Sequence, residues 1–274
     1  MKKVLTIAGS DSCGGAGIQA DLKTFSAHGV YGMSIITAVT AQNTQGVFAV
    51  QDIDEDIIKA QIDAIFTDIE VDAVKIGMVS KPSTIYALAR QLEKYTTKNI
   101  VLDPVMISKS GYSLLQPESK QSLIKELLPK AFVITPNLPE AEEILNTVTS
   151  EHIEIKTIED MEKAAKEIYK LGPQNVLLKG GHMTGEAVDV LYDGQELTRF
   201  YSERIHTKNT HGTGCTLSSA IASNLALGYS IKDAVSNAKK YITTAIEHAL
   251  DIGHGVGPTH HFYELYKKGG LIND

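Results

Sequence analysis

The 274-residue chain has no long apolar run, only two cysteines and no surplus of basic residues, and each shortage excludes a class of function. No stretch approaches the ~18–20 apolar residues that a membrane-crossing helix needs. The apolar part of the N-terminus, Val4–Ala8, is shorter than the ~7–15 residues of a signal-peptide core and predicts a buried first strand. Cys13 and Cys215 lie far apart without metal-type spacing, so free thiols in a reducing cytoplasm are expected. Acidic residues outnumber basic ones, 33 to 26, for a formal charge of −7. A binder of the nucleic-acid backbone needs a concentrated basic surface, so neither nucleic acid nor membrane is an expected partner. Linkers, repeats and low-complexity blocks are also missing, and residues 1–274 are expected to form one domain.

What is present is an alternation of strand-length apolar runs with amphipathic segments. Lys3–Ala8, Ser34–Val39, Ala73–Ile76, Ile100–Leu102, Phe132–Ile134 and Val176–Leu178 read as strands. The shortest are almost wholly apolar, as in a parallel sheet covered on both faces. Helices are predicted over Gly17–His28, Asp54–Asp68, Ser83–Tyr95, a short segment after Pro139, and Ile158–Leu171. Asp193-Gly194, between apolar runs at Val188–Leu191 and Leu197–Tyr201, signals a hairpin. Two helices follow, Gly214–Leu227 and Ile231–Leu250, divided by Gly228. The expected fold is a three-layer α/β/α sandwich with a mostly parallel central sheet and a late antiparallel hairpin.

Two glycine-rich loops stand out. Gly9–Gly17 joins the first strand to the first helix, where open α/β sheets bind ligands. It carries neither the Gly-Lys-Ser/Thr of a P-loop nor a dinucleotide fingerprint, and by itself it fits a tight turn as well as a ligand loop. The second loop, Thr207–Thr216, precedes an apolar helix. Gly212 and Gly214 allow backbone N–H groups to point together as an anion nest at a helix N-terminus, suited to a transferring phosphoryl group. Cys215 falls in the first turn, where the same field is expected to favour thiolate. A small buried residue packing at a helix start is the plainer alternative.

THGTGC at Thr210–Cys215 strongly resembles the anion-hole motif of the ribokinase-like superfamily, in its hydroxymethylpyrimidine/phosphomethylpyrimidine kinase branch. Seven further segments carry the resemblance along nearly the whole chain: LTIAGSDSCGGAGIQADLKTF at Leu5–Phe25, AQNT at Ala41–Thr44, KIGM at Lys75–Met78, LDPVM at Leu102–Met106, TPNLPEA at Thr135–Ala141, LLKGGH at Leu177–His182 and HGVGPTHHF at His254–Phe262. The resemblance implies an ATP- and Mg2+-dependent kinase of thiamine biosynthesis. Such an enzyme phosphorylates 4-amino-5-hydroxymethyl-2-methylpyrimidine and then its monophosphate. It also implies a cytoplasmic homodimer, and basic residues near the nest to receive the charged second acceptor.

Residue roles follow from the same resemblance. Cys215 replaces the aspartate that takes the substrate hydroxyl proton in the wider superfamily, a change typical of the pyrimidine branch. Gly212, Thr213 and Gly214 complete the anion hole. Asn137 and Glu140 organise magnesium, with Asp103 near the metal and phosphates, although Asn137 and Glu140 equally fit a helix capping box and Asp103 an Asp-Pro turn. Lys179, Lys208 and Thr210 supply donors to the nucleotide. Gly9, Asp21, Gln42, Met78 and Val105 line the acceptor pocket. The amide of Gln42 pairs with an aminopyrimidine edge, whereas relatives with marked pyridoxal activity tend to carry methionine there; the plainer alternative is that Gln42 satisfies loop backbone groups. A pyridoxine/pyridoxal kinase and a non-catalytic nucleotide- or pyrimidine-binding protein are the rival readings. His254, His260 and His261 lack partners for a metal set and are expected to pack or be solvated.

Overall fold

The apolar runs pair into one sheet, seen in a computed structural model that describes residues 1–106, 115, 117–149, 152–181 and 187–272. Its strands are β1 (Lys3–Asp11), β2 (Tyr31–Asn43), β3 (Gly46–Asp52), β4 (Ala73–Ile76), β5 (Ile100–Leu102), β6 (Val133–Ile134), β7 (Val176–Lys179), β8 (Ala187–Tyr192) and β9 (Leu197–Ser202). They lie in the order β3-β2-β1-β4-β5-β6-β7-β8-β9. From β2 through β7 every neighbouring pair is parallel, and β3, β8 and β9 are antiparallel to their neighbours. The predicted hairpin at Asp193-Gly194 joins β8 to β9, with Gly194 at φ +90°.

Side-chain alternation along the strands feeds two apolar layers. On β1, Leu5 and Ile7 face a core with α2 (Glu55–Phe66), α3 (Pro82–Lys94), α5 (Leu138–Val148) and α6 (Ile158–Tyr169). Val4 faces the opposite core with α1 (Gly17–Ala27), α7 (Thr213–Ala226) and α8 (Ile231–Glu247). Each fully buried aliphatic side chain contributes about 1.5–3 kcal/mol, so both faces of the central strands must be covered. This is the expected three-layer sandwich. Shorter helices complete the chain: α4 (Pro117–Ser122), which runs on as a π-helical turn at Leu123–Leu127, and α9 (Tyr263–Lys268).

Several elements differ from the sequence reading: α4 and α9 have no predicted counterpart, and β1 runs past the expected Ala8 to Asp11. The run Ser34–Val39 is the middle of a thirteen-residue strand, β2, which continues through Gln42 past a register shift. Strand β3, a partly exposed edge strand, has no predicted counterpart, although Val47, Phe48, Ala49 and Val50 form a short apolar run. Helix α8 stops at Glu247, three residues short of the expected Leu250.

The parallel order brings the ends of β1, β4, β5 and β7 to one rim. There the chain places Asp11, Met78, Asp103 and Lys179, and the continuation of β2 adds Gln42. In an open α/β sheet this rim is the ligand-binding side.

Candidate active site

A cleft of about 890 Å³ opens at that rim. From one half of the sheet it receives Gly9, Gln42, Met78 and Val105, and from the other Ala187 and Asp189, with Ile242 and Ile246 of α8. Asp103, Asn137, Glu140, Lys179 and Thr210–Cys215 line it as well. A volume of this size accommodates two small-molecule partners in contact.

The second glycine loop forms the nest that its spacing predicts. Gly212 caps α7 at φ +77°, a left-handed conformation that disfavours any side chain, and a Cβ there would collide with the carbonyl of Gly15. The helical ladder begins with the Thr216 amide on the Gly212 carbonyl at 2.9 Å, leaving the amides of Gly214 and Cys215 outside it. Gly214 faces Asp103 and Lys179: a Cβ at this position would lie 3.4 Å from Lys179 Nζ and 3.5 Å from Asp103 Oδ2. The loop is anchored from behind by His261. Its Nε2 lies 3.1 Å from Thr216 Oγ1, which donates to the Gly212 carbonyl, and burial pushes the imidazole down to about 4. His261 thus packs rather than being solvated.

Cys215 corrects the expectation of a ready thiolate. Burial pushes its thiol up to about 11; Lys75 pulls it down, but Asp21 and Asp103 add to the rise. Desolvation is the largest cause, and two nearby carboxylates add to it.

Two acid–lysine pairs surround this turn. Asp103 Oδ1 accepts from Lys179 Nζ at 3.0 Å and from Thr135 Oγ1 at 3.3 Å, while Ser218 Oγ of α7 stands 3.4 Å from Oδ2. Burial opposes the charge on Lys179, but Asp103 and Glu140 outweigh it and hold the lysine above its ordinary range. Deeper, Asp21 accepts from Lys75 Nζ at 2.9 and 3.0 Å, Thr6 Oγ1 at 2.6 Å and Ser219 Oγ at 2.7 Å. Both partners of this pair are 0% exposed. Asp21 therefore does not line the cleft as expected; it holds Lys75, which reaches the cleft floor.

Asn137 and Glu140 form the capping box: the Glu140 amide donates to Asn137 Oδ1 at 2.9 Å, and the Asn137 amide to Glu140 Oε2 at 2.8 Å. The box fixes a buried carboxylate beside Lys179 and Asp103. Burial pushes Glu140 up to about 7; Lys179 opposes the rise and Asp103 adds to it. Lys208, in contrast, is exposed and pairs with Asp251 at 3.0 Å, away from the cleft lining. His182 of the expected Leu177–His182 segment lies outside the described residues.

The first glycine loop is organised by Asp11. Its carboxylate accepts from the amides of Cys13 (2.9 Å), Gly15 (3.1 Å) and Ala16 (2.8 Å), and from His211 Nε2 (2.8 Å). Burial opposes its charge, but His211 and the amides hold the carboxyl below the usual range. The exposed Cys13 thiol lies 3.5 Å from the same carboxylate. Asp11, Cys13 and His211 are close enough to suggest a metal set. With Asp11 already occupied by these donors, the cluster reads as a loop clasp. The C-terminal segment closes it: the Gly257 carbonyl accepts from the His211 amide at 3.0 Å, and the Val256 amide donates to the Thr44 carbonyl at 2.8 Å.

Sequence reasoning missed Lys75, the Asp11–His211 pair and Lys239, which bonds Asp189 at 2.5 Å in the cleft wall. For two of them a signal existed. Lys75 interrupts the apolar strand AVKI, and Asp189 the run VDVL; a charge inside a buried strand demands a partner.

Comparison with known proteins agrees with this geometry. The phosphomethylpyrimidine kinase family model matches residues 11–260. A hydroxymethylpyrimidine/phosphomethylpyrimidine kinase of Rhizobium meliloti is 54% identical over 266 residues, covering 96% of this chain and 98% of that protein. Among solved structures, a phosphomethylpyrimidine kinase from Clostridium difficile is 57% identical, with a TM-score of 0.80, over 90% of this chain and 100% of that one. A Bacillus subtilis pyridoxal kinase in an ADP complex is 44% identical, with a TM-score of 0.88, over 97% of this chain and 100% of that one. A nest aimed into a cleft with buried acids and a lysine thus coincides with similarity along nearly the whole sequence, and the chain belongs to the phosphomethylpyrimidine kinase family.

Proposed function

We propose that this chain transfers the terminal phosphoryl group of ATP to 4-amino-5-hydroxymethyl-2-methylpyrimidine, and then to the resulting monophosphate, in thiamine biosynthesis. The observation that carries the reading is the convergence on one cleft of the α7 nest, Cys215, Lys179 and Asp103 beside an amide-bearing wall at Gln42. Pyridoxal kinases of Staphylococcus aureus with AMP-PCP share the fold at 36–37% identity, which supports ATP as the donor.

Phosphoryl transfer is mostly positioning and charge stabilisation. The amides of Gly214 and Cys215 and the N-terminal field of α7 face the oxygens of the transferring group, with Lys179 adding a cation. In its thiolate form, Cys215 Sγ receives the proton of the hydroxymethyl oxygen. Burial holds the thiol near 11 in the free cleft, so the base is a minor thiolate population that Lys75 and the Gly17 amide stabilise. Lys179 is the basic group available to the phosphorylated second acceptor. Asp103 and Glu140 offer buried carboxylate oxygens of the kind a hard cation takes, and the raised Glu140 carboxyl is the state such a cation would relieve. Bound there, Mg2+ would neutralise charge on the phosphates.

Asp103, Asn137, Lys179 and Thr210 form the nucleotide side of this reading, and Gly9, Gln42, Met78 and Val105 the acceptor side. A cytoplasmic homodimer belongs to the same reading. Two free cysteines suit a reducing compartment, and exposed Val39 and Phe48 on neighbouring strands β2 and β3 supply an apolar edge.

A coupled ADP-release assay with the pyrimidine alcohol, its monophosphate and pyridoxal tests the proposal. Faster turnover of both pyrimidines supports it. Preference for pyridoxal favours the vitamin B6 rival, and no ADP release with any acceptor favours a binding protein.

A further inference from the structure

The wall that carries Gln42 has a second layer. Thr40 Oγ1 shares its hydrogen between the Ser10 carbonyl at 3.0 Å and Gln42 Oε1 at 3.2 Å, and the Gln42 amide nitrogen lies 3.4 Å from His211 Nε2. The same imidazole nitrogen is 2.8 Å from the Asp11 carboxylate, which is held ionised by His211 and three loop amides. A carboxylate at this distance requires a hydrogen on Nε2, so Nε2 donates to Asp11 and has no lone pair for Gln42. The Gln42 amide therefore rests against the ring without giving up its N–H bonds, and its oxygen keeps one lone pair beyond the Thr40 contact. One donor and one acceptor, side by side on a cleft wall, complement the ring nitrogen and amino group of an aminopyrimidine.

The imidazole itself has little freedom. Its main-chain amide is held by the Gly257 carbonyl at 3.0 Å, and its ring lies so close to Gly15 that any Cβ there would collide with it. His211 is 6% exposed. Placing a rigid, polarised ring behind a flexible glutamine removes side-chain freedom that binding would otherwise have to freeze.

We propose that His211 is a positioning residue for acceptor choice: bound to Asp11, it holds the Gln42 amide on the cleft wall with its donor and acceptor free for an aminopyrimidine edge. This rests on the reading that Gln42 faces the acceptor. His211 touches no reacting atom, and its effect travels through one side chain.

A double-mutant cycle tests it, with kcat and KM measured for the pyrimidine alcohol and for pyridoxal in the wild type, Gln42→Met, His211→Ala and the double variant. His211→Ala is expected to lower kcat/KM for the pyrimidine up to about tenfold, the scale of re-ordering one rotamer-rich side chain, mainly through KM, while pyridoxal changes less than about twofold. In the Gln42→Met background the same substitution is expected to leave the ratio of the two substrates unchanged. His211→Gln, which keeps a donor toward Asp11, is expected to recover part of the selectivity and carries the cycle if the alanine variant fails to fold. An equal loss on both substrates, or an undiminished effect without Gln42, would make His211 a loop clasp only and overturn the proposal. If Gln42→Met alone leaves the substrate ratio unchanged, the Gln42 reading fails first and takes the proposal with it.

Discussion

Consecutive serines of α7 each reach an acid–lysine pair, and the two pairs differ in one respect. Ser219 bonds Asp21, whose carboxylate has Lys75, Thr6 and Ser219 as donors and is out of solvent. Ser218 stands over Asp103, whose pair with Lys179 borders the cleft, with side chains 3% and 14% exposed. The residue types are the same in both. Where donors close over the carboxylate, the pair fixes the position of a helix turn; where the pair meets a cavity beside a nest, it keeps charge available to a ligand. Cys215 sits between them and feels Lys75, Asp21 and Asp103 together.

Substitutions can separate the two roles. Cys215→Ala is expected to lower kcat by about 10²–10⁴-fold, the usual share of a proton-accepting group, with the melting temperature little changed. Near wild-type kcat would remove the cysteine from the chemistry. Lys179→Met should cost about 10²–10³-fold in kcat, the scale of losing one preorganised donor to transition-state charge, again with a small change in Tm.

Lys75→Met is the opposite case. Removing one partner of a buried pair costs about 3–5 kcal/mol, so chemical denaturation should register a large loss of stability. Asp21→Leu combined with Lys75→Met should recover part of it. If Lys179→Met destabilised the fold as much as Lys75→Met, the contrast between the pairs would collapse.

A smaller effect is expected from Glu140. Its carboxyl is raised to about 7, so the ionised form gains as pH rises through that value. The profile of kcat/KM for the nucleotide, which reports the free enzyme, should rise between about pH 6 and 8, and Glu140→Gln should remove that limb. A profile flat across this range in the wild type would detach Glu140 from nucleotide binding.

Much of this was legible in the residues. Ala73–Ile76 and Ile100–Leu102 coincide with β4 and β5 because strands covered on both faces leave an apolar run with sharp ends. Strand β3 carries the apolar run Val47, Phe48, Ala49, Val50, but a run that short does not by itself separate a strand from other structure. The nest was legible because Gly212 and Gly214 precede a helix, a local arrangement. Asp21 was misplaced for a long-range reason: its partner Lys75 is 54 positions away, and α1 packing over β1, beside β4, brings them together. The distance between Asp11 and His211, 200 positions, hid their pair in the same way. The thiol of Cys215 was misjudged because a helix start is visible in sequence, whereas the burial that raises the thiol, and the carboxylates that add to it, are not.

Following the products of one reaction by phosphorus NMR tests the central claim most directly. With ATP and the pyrimidine alcohol, the account predicts a phosphomonoester signal that rises first and then gives way to a pyrimidine diphosphate in the same tube. Formation of ADP without a pyrimidine phosphoester, or no consumption of ATP at all, would contradict it.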